Sequence, residues 1–292
     1  MGTRWSVLCS TENPHLAEDL QANLQAAVDR VDHQMSPWIY SSDLCKFNRA
    51  ETGDILDIGH ETCEVLALAL KIHTLSGGAF NPAVMPNVEA AGFSARKSDS
   101  PFVVSRALGD FISLDRQNRR LTKISDGKID LCGIAKGYGA DQLAAVLREA
   151  GLYNFLASID GEVVASGRPA QSEGWQVALE APDLTERRIL KELCITDMCL
   201  ATSGGYRNVA DYRDGPITHT IDPNTGVPLK ELSQSVTIAA SSAADADAWA
   251  TAFTVLGQDT GAALAEKLGL HALFCRLEHG VTTYVATGIL AV

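Results

Sequence analysis

Apolar residues along this chain change period repeatedly, and never in the steady strand–helix–strand order that a parallel sheet requires. Residues 4–9 alternate as a strand. A helix follows, opened by Asn13-Pro14 with Asn as N-cap and Pro in the first turn. Leu16, Leu20, Leu24, Ala27, Val28 and Val31 keep helical spacing along it. The stretch from Met35 to Asn48 reads as a loop, and 60–75 as a second helix stopped by Gly77-Gly78. Phe102–Val104 and Phe111–Leu114 are candidate short strands. Asp130 to Gly139 is glycine-rich and leads into a helix ending at Gly151. Residues 154–160 and 162–166 flank Asp160-Gly161, a hairpin signal. Residues 175–180 alternate as a strand, 199–208 read as a loop, 219–228 are turn-rich and 235–240 form a strand. Ser241 or Ser242 caps a helix ending near Gly257, another helix covers 259–268, and two closing strands meet at His279-Gly280. This order predicts an α+β fold with mixed or antiparallel sheets and flanking helices, not a doubly wound sheet. No repeat, low-complexity tract or linker interrupts it, so the expectation is one compact domain over 1–292.

The chain can afford such a core: 46% of its residues are hydrophobic and 21% charged. Its formal net charge of −12 leaves no basic surplus to replace phosphate counterions, which excludes a nucleic-acid partner. A phosphorylated small molecule would need local help from backbone N–H groups, helix N-termini or a metal ion. Seven cysteines, with no CxxC pair, read as thiols of a reducing compartment. No apolar run approaches the ~18 residues of a membrane span. The first residues read as a strand rather than an export signal. The cytoplasm is therefore expected for the chain as given, and the periplasm or cell envelope if a leader has been removed.

Four constellations can carry chemistry. Asp247 and Thr251 stand at i and i+4 of a predicted helix, on one face. Carboxylate plus hydroxyl is a hard-oxygen pair that suits Mg²⁺. The competing reading is a carboxylate serving the helix dipole and a packed threonine. Asp130 to Gly139, with three glycines and Lys136, can offer N–H groups and one cation to a pyrophosphate, or it is a tight turn with close helix packing. Carbonyls of that segment can also complete a metal shell. In Ser76–Pro82 the glycines admit close backbone approach and Phe80 can face a planar ring; a helix C-cap explains the same residues. His219 can accept a proton from a hydroxyl near neutral pH, or serve structure only. No GxSxG elbow and no marked nucleophilic cysteine is present.

In order along the chain stand MGTRWSV (1–7), MSPWIYSSDLCKFNRA (35–50), SGGAFNPAVMP (76–86), DLCGIAKGYGAD (130–141), ATSGGYRN (201–208), HTIDPNTGVPL (219–229) and ADAWATAFTVLG (246–257). This set resembles the ApbE family of FAD:protein FMN transferases. The resemblance implies a single ApbE-like, T-fold-related α+β unit holding flavin in a cleft. It implies a Mg²⁺-dependent enzyme that moves FMN from FAD to a Thr or Ser hydroxyl of an acceptor flavoprotein, forming a phosphoester and releasing AMP. By the same resemblance Asp247, Thr251, the Gly133 backbone oxygen and the Ala250 carbonyl would hold Mg²⁺. Met35, Ala79, Phe80, Asn81, Asp130, Lys136 and Ile221 would line the FAD site, and His219 would be the general base. Mg²⁺ would offset pyrophosphate charge that an acidic protein otherwise repels.

Four positions depart from the family pattern. Asn81 stands for a usual Asp, Met85 for a Gly, Asp160 for the first Gly of a GGE/GGD turn, and Gly205 for an Asp. Two rival readings stand beside transfer: the same site hydrolysing FAD to FMN and AMP without an acceptor, and a flavin-binding protein that has lost catalysis, for which the departures at Asn81 and Asp160 are the motive.

Overall fold

A computed structural model describes residues 2–9, 17–94, 96–212 and 215–291. The chain opens with β1 (Trp5–Cys9), α1 (Ala17–Met35), α2 (Asp43–Arg49), β2 (Ile55–Asp57), α3 (His60–Leu75) and α4 (Met85–Ala90). It continues with β3 (Ile112–Asp115), β4 (Arg120–Lys123), α5 (Cys132–Glu149), β5 (Phe155–Ile159), β6 (Glu162–Ser166), β7 (Trp175–Glu180) and β8 (Ile189–Ile195). The last third holds β9 (Met198–Gly204), β10 (Val209–Tyr212), β11 (Gly215–Thr218), β12 (Gln234–Ala240), α6 (Ala243–Leu268), β13 (His271–Glu278) and β14 (Val281–Ala286).

The main sheet has seven strands in the order β1-β5-β6-β9-β12-β13-β14, and its neighbours pair antiparallel. Smaller sheets join β2-β4-β3, β7-β8 and β10-β11. The fold is α+β with antiparallel sheets, as the patterning predicts. Among the described residues no helix is long and apolar enough to cross a membrane.

Helix α1 buries Leu20, Leu24, Ala27, Val28 and Val31, the periodic positions read from the sequence. Its expected start at Asn13-Pro14 lies outside the described residues. Asp160 and Gly161 both take positive φ, 48° and 105°, at the β5–β6 turn. Aspartate is one of the few residues that tolerate that region, which is why it can replace glycine there. Ser242 caps α6 by accepting the Asp245 N–H at 3.3 Å. Gly257 breaks α6 with φ 72° and ψ 173°, so the two helices expected here meet at a kink.

Four expectations need correction. The 35–48 loop contains most of α2, which Ser42 starts by accepting the Cys45 N–H. The 199–208 loop is largely β9, a central strand whose Cys199, Leu200 and Ala201 are buried. The 130–139 segment is not a loop before a helix; from Cys132 on it is the first turns of α5. Residues 102–104 form no strand. That stretch has no ladder partner and is pinned by a side chain: Asn87 donates to the Val103 carbonyl at 2.8 Å and accepts its N–H at 3.0 Å.

Three elements position the site. Helix α5 packs along α6, and α6 lies across β9 and β12. Ile134, Ala244, Ala246, Ala248, Ala250 and Phe253 share one apolar cluster with Met35, Ala79 and Phe80.

Candidate active site

The alanine-rich first turns of α6 let it approach α5 closely. A Cβ on Gly137 would lie 2.1 Å from the Ala243 carbonyl oxygen and 2.8 Å from Asp247 Cβ, so only glycine fits that crossing. One turn earlier on α5, a Cβ on Gly133 would lie 2.9 Å from Thr251 Oγ1 and 3.5 Å from the Phe80 ring. Four of the expected residues, Gly133, Phe80, Asp247 and Thr251, therefore converge, although they are distant in sequence. The Gly137 N–H donates to Asp247 Oδ2 at 3.0 Å. In a regular helix that N–H serves the Gly133 carbonyl.

Lys136 stands at the same seam. Its ammonium donates to Glu162 Oε1 and lies 4.0 Å from Asp247 Oδ1. Glu162 and Asp247 are almost wholly buried, and Glu162 Oε2 has no partner. Burial works against the Lys136 charge, but Asp247 and Glu162 outweigh it and hold the ammonium well above its ordinary range. Burial and the Asp247 charge push the Glu162 carboxyl up to about 8, against the pull of Lys136. Burial likewise raises Asp247, opposed by Lys136 and the Gly137 N–H. Two carboxylates and one ammonium thus share a space that has one negative charge too many when all are ionised.

That imbalance and the orphaned Glu162 oxygen are what a divalent cation would relieve. The donors present, Asp247, Thr251 Oγ1 and the Gly133 carbonyl, are hard oxygens and fit Mg²⁺. The Ala250 carbonyl accepts the Thr254 hydroxyl at 2.8 Å. Among the described residues no group of three or more His, Cys, Asp or Glu is gathered for a metal. A cation here would thus rely on hydroxyl and backbone oxygens beside the carboxylate.

The other expected residues line the surroundings. Asp130 accepts the Cys132 N–H at 2.9 Å, and its own N–H donates to the Pro82 carbonyl at 2.8 Å. Ser76 Oγ accepts the Phe80 N–H, and His73 Nδ1–H donates to the Phe80 carbonyl. Met35, Ala79 and Ile221 are buried, and Ile221 bridges to Pro228. A cavity of about 420 Å³ is lined by His73, Gly77, Gly78, Asn81, Ser105 and Pro223, among others.

His219 sits just past β11, and its backbone N–H donates to the Asn208 carbonyl. Its Nδ1 is buried without a partner, and Phe93 meets the ring edge-on at 6.3 Å. Burial first, then the Lys136 charge, push its pKa below the ordinary 6.5. Both causes favour the neutral ring, and a neutral imidazole keeps one nitrogen able to accept a proton.

The departures have local reasons. Asn81 accepts the Ala83 N–H and donates to the Arg106 carbonyl at 2.9 Å, a bond a carboxylate could not donate. Met85 has an ordinary helical backbone and needs no glycine. A Cβ on Gly205 would lie 2.7 Å from Thr218 Cγ2 and 2.8 Å from the Glu231 carbonyl, so the surroundings are closed around glycine. Sequence reading missed Glu162 and Asp141. The first follows Asp160-Gly161 directly. The second lies four residues beyond Gly137, and that spacing was the available signal.

The ApbE family model matches residues 1–274. The FAD:protein FMN transferase of Klebsiella pneumoniae (strain 342) is 31% identical over 281 residues, covering 92% of this chain and 80% of that relative. The one from Vibrio cholerae (strain O395) is 30% identical over 275 residues, covering 91% and 82%. Among solved structures, the flavin transferase ApbE from Vibrio cholerae matches with a TM-score of 0.85 at 26% identity, covering 99% of this chain and 94% of that one. The apo flavinyl transferase ApbE of Pseudomonas stutzeri matches with a TM-score of 0.84 at 28% identity, covering 98% and 92%. This chain is an enzyme, and it belongs to the ApbE family.

Proposed function

We propose that this chain transfers FMN from FAD to a Thr or Ser hydroxyl of an acceptor flavoprotein, with Mg²⁺ in the α5–α6 seam. The observation that carries the reading is the meeting of Asp247 and Thr251 with Gly133 and Lys136, beside the unpaired Glu162 oxygen. The activity named for the relatives, FAD:protein FMN transferase, supports it.

Asp247, Thr251 and the Gly133 carbonyl would hold the cation, with the Ala250 carbonyl as a further candidate. When bound, Mg²⁺ supplies charge neutralisation at the pyrophosphate and favours departure of AMP. Lys136 adds a second positive charge at the same place. Met35, Ala79, Phe80, Asn81, Asp130 and Ile221 surround the dinucleotide. His219 accepts the proton of the acceptor hydroxyl. That oxygen bonds to the FMN phosphorus while the bond from this phosphorus to the AMP-side bridging oxygen breaks. AMP leaves, and FMN remains as a phosphoester on the acceptor. The residues' contribution is positioning, charge and one proton transfer.

The test is incubation of the chain with FAD, MgCl₂ and an FMN-acceptor domain carrying a threonine, following intact acceptor mass and AMP. Equal gain of FMN mass and AMP is expected. AMP without mass gain replaces this reading by hydrolysis. Retained FAD with neither product replaces it by a non-catalytic flavin protein.

A further inference from the structure

Helices α5 and α6 run antiparallel with matched steps of four residues. Gly133 faces Thr251, Gly137 faces Asp247, and one turn further Asp141 faces the start of α6. The third rung is built differently from the first two. Asp141 Oδ1 accepts the Ala243 N–H at 2.9 Å; Oδ2 accepts the Ala244 N–H and the Ser242 hydroxyl, each at 2.9 Å. Ser242 is already the local cap of α6. Asp141 instead caps the helix from a neighbouring one, about a hundred residues earlier in the chain, and satisfies two N–H groups whose residues are fully buried.

We infer that Asp141 is a positioning residue for the cation site: it fixes how far α6 slides along α5, and so holds Asp247 and Thr251 opposite Gly133. This rests on the proposed cation in the seam. The close contact at Gly137 sets the separation of the helices, and the Gly137 N–H bond to Asp247 Oδ2 and the nearby Lys136 ammonium resist sliding only at Asp247 itself, to which Asp141 adds three bonds at the end of α6. A helix moves as a rigid rod with a rise of ~1.5 Å per residue. A slip of a single residue would displace both ligands by that amount, whereas metal–ligand distances tolerate only ~0.2 Å. The carboxylate is held by three donors on three consecutive residues, so it resists such a slip. The negative charge also sits at the positive end of α6.

The experiment measures Mn²⁺ binding by the electron paramagnetic resonance signal of free Mn²⁺, without FAD or acceptor, below the onset of melting. Asp141→Asn keeps the shape but places an amide N–H₂ against donors. It is expected to bind Mn²⁺ about tenfold more weakly or worse, the usual effect of losing an outer partner of a metal site. Leu290→Ala, buried away from the seam, is the control for general destabilisation and should bind as the wild type does. Should Asp141→Asn fail to fold, Asp141→Glu keeps the charge but displaces the acceptor oxygens by one methylene, leaves the Ser242 cap in place, and is expected to weaken Mn²⁺ by about threefold. Binding within about a factor of two of wild type in the variant that folds overturns the inference. So does an equal loss in Leu290→Ala. Wild-type protein that shows no Mn²⁺ binding abolished by Asp247→Asn removes the proposed cation site itself, and the role of Asp141 with it.

Discussion

His219 and Lys136 set opposite demands on their surroundings. In the proposed transfer the imidazole has to be neutral to take a proton, and burial beside the Lys136 charge favours that form. Its pKa is lowered, so kcat/KM for transfer should rise with pH through a limb displaced to the acid side of an ordinary histidine's. His219→Ala should lose about 10²–10⁴-fold in transfer rate, lose that limb, and keep FAD binding. Full activity in that variant removes the histidine from the mechanism. Lys136 must stay charged between Glu162 and Asp247. Lys136→Met leaves two buried carboxylates without a countercharge and should cost about 3 kcal/mol of stability. Millimolar Mg²⁺ should restore part of that loss, because a dication can replace the ammonium between the carboxylates. Thermal melting with and without Mg²⁺ reads both effects, and a variant indifferent to Mg²⁺ contradicts the account.

At the level of elements, the site depends on two helices meeting without side chains between them. Gly137→Ala puts a methyl 2.1 Å from the Ala243 carbonyl oxygen and should destabilise the fold by about 3 kcal/mol in urea titration, while weakening transfer. Retained stability and activity would mean that α5 and α6 can part without harm. The α6 half of this seam was legible in the sequence, because Asp247 and Thr251 share a face at i and i+4. The α5 half reads in the sequence as a tight turn before a helix, since three glycines within ten residues suggest a turn more than a helix. Tertiary contact explains the difference: Gly137 is kept where α6 needs the space. Strand β9 was hidden in the same way, the glycine pair at and just past its end, Gly204-Gly205, masking the buried Cys199–Ala201 core of the strand. The partner of Lys136 could not be read at all. Glu162 reaches it only because the β5–β6 hairpin turns at Asp160-Gly161 and brings the strand back under α5.

For the molecule as a whole, the antiparallel main sheet is a platform on which α6 lies and against which α5 closes. Alternation and turn signals revealed this α+β architecture, because strands with one buried face and two-residue turns have strong local patterns. Which strands become neighbours was not readable, since β6, β9 and β12 pair across long crossovers. A protein with a net charge of −12 must concentrate positive charge to hold a pyrophosphate. In the proposed function that task falls to Lys136 and a dication at one seam. The direct measurement is diffraction at the manganese edge from crystals of the chain grown with MnCl₂ and FAD. The account predicts an anomalous peak within bonding distance of Asp247, Thr251 Oγ1 and the Gly133 carbonyl, touching the FAD phosphates. Bound FAD with no peak there, or a peak held by other residues, contradicts it.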